Sequence, residues 1–149
     1  MSTLLERLDQ AFKESLKGHQ EVALATLRMV RTALKNRQVE LKRPLTEDEV
    51  QGVVAAQAKQ RREAIAEFVK AGRADLARKE EEELQFLLSF LPPQLSPEEL
   101  EAEIARIIAD VGAASAKDLG KVMKAAMAQL SGRADGKLVQ EIVRRRLTA

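Results

Sequence analysis

Phe90–Leu100 reads FLPPQLSPEEL. The prolines at 92 and 93 cannot continue a helix, because neither offers a backbone N–H and each ring crowds the preceding turn. A helix therefore ends ahead of them. Ser96, Pro97 and Glu99 open the next one: the serine accepts a first-turn N–H, the glutamate reaches back to the cap, and proline suits the first helical position. The stretch divides the chain into four helical segments and then three. The predicted fold is all-α, with an N-terminal four-helix bundle-like domain over residues 1–91 and a small C-terminal three-helix domain over 95–149.

Apolar residues at three-four spacing define the segments on either side. Upstream, Leu5, Leu8, Phe12 and Leu16 predict a helix over about 3–17, ended by Gly18. Ala23, Leu27, Val30, Leu34 and Leu41 predict a second over 20–42, stopped by Pro44. Thr46 with Glu49 forms a capping box for a third, 47–71, marked by Val50, Val54, Ala58, Ile65 and Phe68. A fourth spans 75–90. Downstream, Leu100, Ile104, Ile107, Ile108 and Val111 line a fifth helix that Gly112 closes. Ser115 and Asp118 cap a sixth, which turns Leu119, Val122, Met123, Ala126, Met127 and Leu130 inward. Leu138, Val139, Ile142, Val143 and Leu147 line the seventh.

The tetrapeptide GRAD occurs twice, at 72–75 and 132–135, each time between two such segments. The second copy, continued as GRADGK, superficially resembles a phosphate loop. It has three rather than four residues between its glycines, Leu138 instead of Ser or Thr after the lysine, and a helical pattern upstream where a strand is needed. A helix corner accounts for both copies: Gly72 and Gly132 in the left-handed conformation that closes a helix, Asp75 and Asp135 capping the next one.

With 149 residues and 45% hydrophobic content the chain has ample material for a core. Cysteine is absent, which excludes disulfides, thiol nucleophiles and sulfur metal sites. No secretory apolar region and no apolar run near 18 residues occurs, so a cytoplasmic location and no membrane partner are expected. The single histidine, His19, follows Gly18 in a turn with no ligand or triad partner at a recognisable spacing. Ser2, Ser96 and Ser115 read as helix caps. The run Glu80–Glu83 lacks the Glu-x-x-His spacing of bundle metal sites and reads as a solvated helical face. No catalytic grouping, metal site or cofactor motif remains, and no enzyme acting alone is expected.

Charge is uneven. Residues 1–45 carry nine basic and five acidic groups, 46–111 eight and fifteen, and 112–149 eight and three. Lys117, Lys121 and Lys124 recur at one helical face opposite the apolar one. Arg133 stands on the adjoining corner; Lys137 and Arg144 stack two turns apart on the seventh helix, with Arg145 alongside. Arg28, Arg31, Lys35 and Lys42 form a secondary basic face on the second helix. Arg146 falls within its helix's apolar face. Such rows suit phosphate backbones, and they equally suit solubility or protein contact. Residues 91–149 contain no aromatic side chain, so any RNA contact there reads backbone and folded shape rather than stacked bases.

LRMVRTALKNRQVE (27–40), KQRREAIAEFVKAGRADLARKEEEE (59–83), FLPPQLSPEEL (90–100) and GKVMKAAMAQLSGRADGKLVQEIV (120–143) together resemble the YqeY family. That family is related to the tail region of the B subunit of the tRNA-dependent Asp/Glu amidotransferase. The resemblance covers essentially the whole chain and implies an N-terminal helical bundle and a tail-like three-helix domain. It implies a tRNA-binding or amidotransferase-associated role, with amidotransferase or tRNA-synthetase components as possible partners. It implies carbon-nitrogen ligase activity, with glutamine as amido donor, only within a larger complex. Gly120, Lys121, Val122, Met123, Gly132, Ala134 and Asp135 match the shared pattern. Lys124 stands where glycine is frequent and Gln140 where asparagine is frequent. The alternative expectation is a protein-interaction module with no RNA role.

Overall fold

Thr3, Thr46 and Ser96 each accept a backbone N–H from the residue three positions on, so three helix starts are written in local sequence. The computed structural model describes residues 3–148, and among these it is all-helical, with seven α-helices, one 3-10 turn and no strand. The elements are α1 (Leu4–Lys17), α2 (Glu21–Leu41), α3 (Glu47–Lys70), α4 (Ala74–Leu88), α5 (Pro97–Val111), a 3-10 turn (Ala116–Asp118), α6 (Leu119–Leu130) and α7 (Gly136–Thr148). Ser2, expected as a cap, lies outside the described residues. The chain forms two compact units, Met1–Pro92 and Pro93–Ala149.

In the first unit, Leu8, Leu27, Val30, Val54 and Leu87 are almost wholly buried at the centre of a core that α1–α4 share. α1 is rotated from its expected face. Leu4 and Leu8 are buried while Leu5 and Leu16 are 43% and 44% exposed. Both registers satisfy helical spacing, and a long-range bond selects between them: the Leu4 N–H donates to Glu47 Oε1 at 2.8 Å, which ties the start of α1 to that of α3. Lys42 is not the last residue of α2; it takes a left-handed conformation, φ 59°, and ends the helix ahead of Pro44.

The expected solvated face of Glu80–Glu83 is corrected at Glu83, which is 7% exposed. Its carboxylate lies 3.7 Å from the guanidinium of Arg61, itself 3% exposed, and accepts the Thr26 hydroxyl at 3.3 Å. Arg61 also donates to Gln57 Oε1 at 2.8 Å and to the Met29 sulfur at 3.0 Å. Two ions thus share the interior of a four-helix unit, each desolvated and each compensated by the other.

The second unit has a purely apolar interior. Leu100, Ile104, Ile107, Val122, Ala126, Leu130, Val139 and Val143 from α5, α6 and α7 are all 0–1% exposed. Each such leucine, isoleucine or valine contributes about 1.5–3 kcal/mol by leaving water. Met123 is half-buried as expected, but Met127 is 41% exposed at the edge of the core, where its Cε stands 3.4 Å from the site a Cβ on Gly136 would take.

Both GRAD glycines adopt the left-handed conformation, φ 71° at Gly72 and φ 77° at Gly132. Their aspartates differ. Asp135 Oδ1 accepts the N–H of Lys137 and caps α7. Asp75 lies inside the first turn of α4 and pairs with Arg73 at 3.1 Å instead of capping. The second corner also receives the proline segment: Leu95 N–H donates to Arg133 O at 2.9 Å, and the Gln94 side-chain amide to Gly132 O at 2.6 Å.

Candidate nucleic-acid interface

Ser115 accepts the Lys117 N–H and Asp118 reaches back to the Ser115 N–H, so the predicted capping box forms. It opens the 3-10 turn, and α6 follows from Leu119. Hydrogen bonds from the Ala114 and Ser115 N–H groups hold the Asp118 carboxyl below the usual range, and Lys121 nearby adds to this. Lys117 is exposed on the turn, which packs against both α6 and α7.

Lys121 and Lys124 are exposed on the side of α6 opposite buried Val122, Ala126 and Leu130. Lys137 and Arg144 are exposed on α7 opposite Val139 and Val143. α6 and α7 pack together, so these are two stripes on adjacent helices, each facing away from its own core side. Arg133 is half-buried at the corner between them, close enough to Glu99 to lower its carboxyl a little beyond what the Ser96 N–H and hydroxyl achieve. Among the described residues, none of Lys117, Lys121, Lys124, Arg133, Lys137 and Arg144 has an ion-pair partner within 4.0 Å.

Arg145 departs from this set. It pairs with Glu101 of α5, as does Arg146, whose guanidinium sits 2.8 Å from Glu101 Oε2. The hydrogen bond from Arg146, with help from Arg145, holds the Glu101 carboxyl below its ordinary range. Arg146 on the apolar face is thereby explained: it leaves the core edge to bridge α7 to α5. Sequence spacing could not reveal this, because Glu101 precedes Arg145 by 44 residues.

The secondary basic face divides as well. The Arg31 guanidinium lies over the Phe12 ring, 4.1 Å from its centroid, and is engaged with α1. Arg28 and Lys35 are exposed on α2, and Lys42 is exposed at its left-handed cap. His19 is exposed with φ 51°, in the turn after α1. Among the described residues no cluster of three or more His, Asp or Glu side chains is arranged to hold a metal ion. No helix of the described residues is long and apolar enough to cross a membrane.

A family model for Yqey-like proteins matches residues 5–147. The chain is similar to altered inheritance of mitochondria protein 41, mitochondrial, of Kluyveromyces lactis, with 33% identity over 107 residues, 70% of this chain and 58% of that protein. The like-named protein of Eremothecium gossypii is 31% identical over 101 residues, 66% of this chain and 55% of its own length. That of Vanderwaltozyma polyspora is 26% identical over 107 residues. The matches span little more than half the length of these relatives. Their names as mitochondrial proteins overturn the cytoplasmic expectation. The inference failed because lacking a secretory or spanning apolar run separates membranes from water, not one aqueous compartment from another.

Proposed function

The chain belongs to the YqeY-like protein family, and from that premise we propose that it is a non-catalytic helical protein, tRNA-binding or amidotransferase-associated, that contacts folded tRNA through its C-terminal basic surface. Residues 1–91 are read as its four-helix domain and 95–149 as the tail-like three-helix domain that meets RNA. Any carbon-nitrogen ligase chemistry belongs to the larger assembly.

The observation that supports this reading is that, among the described residues, the six cations on the 3-10 turn, α6, the corner and α7 have no carboxylate within 4.0 Å. A cation already bound to a carboxylate must lose that partner before it can neutralise a phosphate. One left in solvent exchanges only water and counterions, and counterion release supplies the affinity. The absence of aromatic residues from 91–149 directs the contact to the sugar-phosphate surface of a folded RNA.

The test is retention of bulk tRNA by the chain carrying Lys121→Glu, Lys124→Glu and Lys137→Glu. The expected outcome is loss of tRNA binding with unchanged helical circular dichroism. For the unsubstituted protein, affinity should fall steeply with salt, and each single Lys→Gln change should flatten that slope by somewhat less than about one phosphate's worth. Binding unaffected by the triple change would remove this surface from consideration.

A further inference from the structure

The exposed side of α2 follows a heptad pattern. Val22, Ala25, Met29, Thr32, Asn36 and Val39 recur at alternating spacings of three and four, and all six are exposed. Three of them are large apolar residues left in water, Val22 at 38%, Met29 at 50% and Val39 at 68%. The opposite side of the same helix carries its buried contribution to the core, Leu27, Val30 and Leu34. The helix is therefore apolar on two sides, and only one of them is covered within the unit.

Seam residues are held ready. The Met29 sulfur accepts from buried Arg61 at 3.0 Å, which restrains a side chain that is otherwise free in solvent. The Thr32 hydroxyl donates to Arg28 O at 3.0 Å, so its polar atom is occupied along the backbone of its own helix. Gln57 of α3 joins Met29, Thr32 and Asn36 around one hollow on this side, and Lys79 and Glu83 of α4 join Val22 and Ala25 around another. These make one wall of a groove along α2. The other rim is basic: Arg28, Lys35 and Lys42 recur every seven residues. All three are exposed and, among the described residues, without a carboxylate within 4.0 Å.

We propose that this groove receives an amphipathic helix of a partner protein, with apolar residues toward the α2 seam and carboxylates toward Arg28, Lys35 and Lys42. The alternating three-four spacing is what one helix offers another for knob-in-hole packing, and Ala25 and Thr32 leave space for close approach. Asn36 at a seam position suits selection of a single register. The rim sets the sign of the partner's flank. RNA fits less well, since an apolar seam gains nothing from phosphate. A second copy fits less well too, because antiparallel seams would set Arg28 beside Lys35, like charge against like. The proposal concerns the first unit and stands apart from the RNA contact of the second.

The test uses the full chain and two fluorescein-labelled synthetic helices, each as long as α2, with leucine at the a and d positions. One carries glutamate at e and g, the other lysine. Fluorescence anisotropy at ~0.15 M salt is the readout. The glutamate peptide should bind, its lysine twin at least about tenfold more weakly. Met29→Glu and Val39→Glu, the latter far from the buried ions, should each weaken the glutamate peptide by about tenfold or more. Val69→Glu, an equally exposed apolar position on α3, should leave binding unchanged. No binding of the glutamate peptide, equal binding of the twins, or indifference to both seam changes would overturn the proposal. So would a dimer in sedimentation that Val39→Glu splits, since a second copy would then be the occupant, or tRNA cross-links confined to the seam.

Discussion

Among the described residues the first unit buries an ion pair and the second buries no charge. Arg61 and Glu83 pair inside the four-helix core, Arg31 lies on Phe12, Arg7 lies over Phe90, and Arg43 grips Glu49. Among the described residues the three-helix unit buries only apolar side chains; of its nine cations Arg106 is held by Glu103 and Asp110, and Arg145 and Arg146 by Glu101, while the other six have no carboxylate within 4.0 Å. Similar helices, rich in the same residues, place a pair of charges inside the core in one case and keep every charge outside it in the other. Every charge can stay outside only if the core side can be filled by apolar residues alone. α5, α6 and α7 meet that condition, and α3 and α4 do not.

The comparison breaks most visibly if the internal ions are separated. Glu83→Ala should cost about 3–5 kcal/mol in urea unfolding of the first unit, because Arg61 is left buried without its counter-charge. The pair Arg61→Met with Glu83→Leu should recover most of that loss, since an apolar interior is an acceptable substitute for a buried ion pair. Failure of the double change to recover stability would mean that the ions hold the helices in register. In the second unit Ile104→Ala should cost about 2–5 kcal/mol by opening a cavity, and no charge substitution should rescue it.

The helix starts sharpen the contrast at smaller scale. Thr46 with Glu49 and Ser96 with Glu99 are the same capping box, one in each unit. Ser96→Ala should lower stability of the second unit by about 1 kcal/mol, measured by its thermal midpoint. The smallest effect concerns pH. The Arg43 guanidinium beside it, with the Thr46 N–H, holds the Glu49 carboxyl down to about 2 from an ordinary 4.5. A depressed carboxyl stabilises the fold above its ordinary value and ceases to as pH falls toward the folded one. The small advantage of the parent chain over Glu49→Gln in thermal midpoint should therefore be present at neutral pH and close between about pH 4.5 and 2. A gap that stays open through that window would show that Arg43 does not stabilise the carboxylate.

Much of the fold was legible because helix boundaries are local. The interval from Leu91 to Glu99, the three capping boxes, Gly112 and the left-handed Gly72 and Gly132 all act within a few residues of themselves. The basic stripes were legible for the same reason, as periodicity alone puts Lys121 and Lys124 opposite Val122. The buried pair was not legible in this way: Glu83 reads as part of a solvated face and Arg61 stands out in no motif, although a wheel does place Arg61 among Val54, Ala58 and Ile65, and Glu83 beside Leu84 and Leu87. Charged residues within an apolar face were the available signal. The seam of α2 was hidden by the stronger stripe on its other side, which satisfied the expectation of one buried face per helix.

Sequence alone determined that the chain is helical, where its segments begin and end to within a few residues, and on which side of α6 and α7 the lysines stand, because these rest on interactions spanning no more than two helical turns. Tertiary structure alone decided which charges are spent on the protein itself: Glu83 on Arg61, Glu101 on Arg145 and Arg146, Arg31 on the Phe12 ring. Pairing and desolvation depend on distances of a few ångströms between groups far apart along the chain, and those distances exist only after the helices have packed.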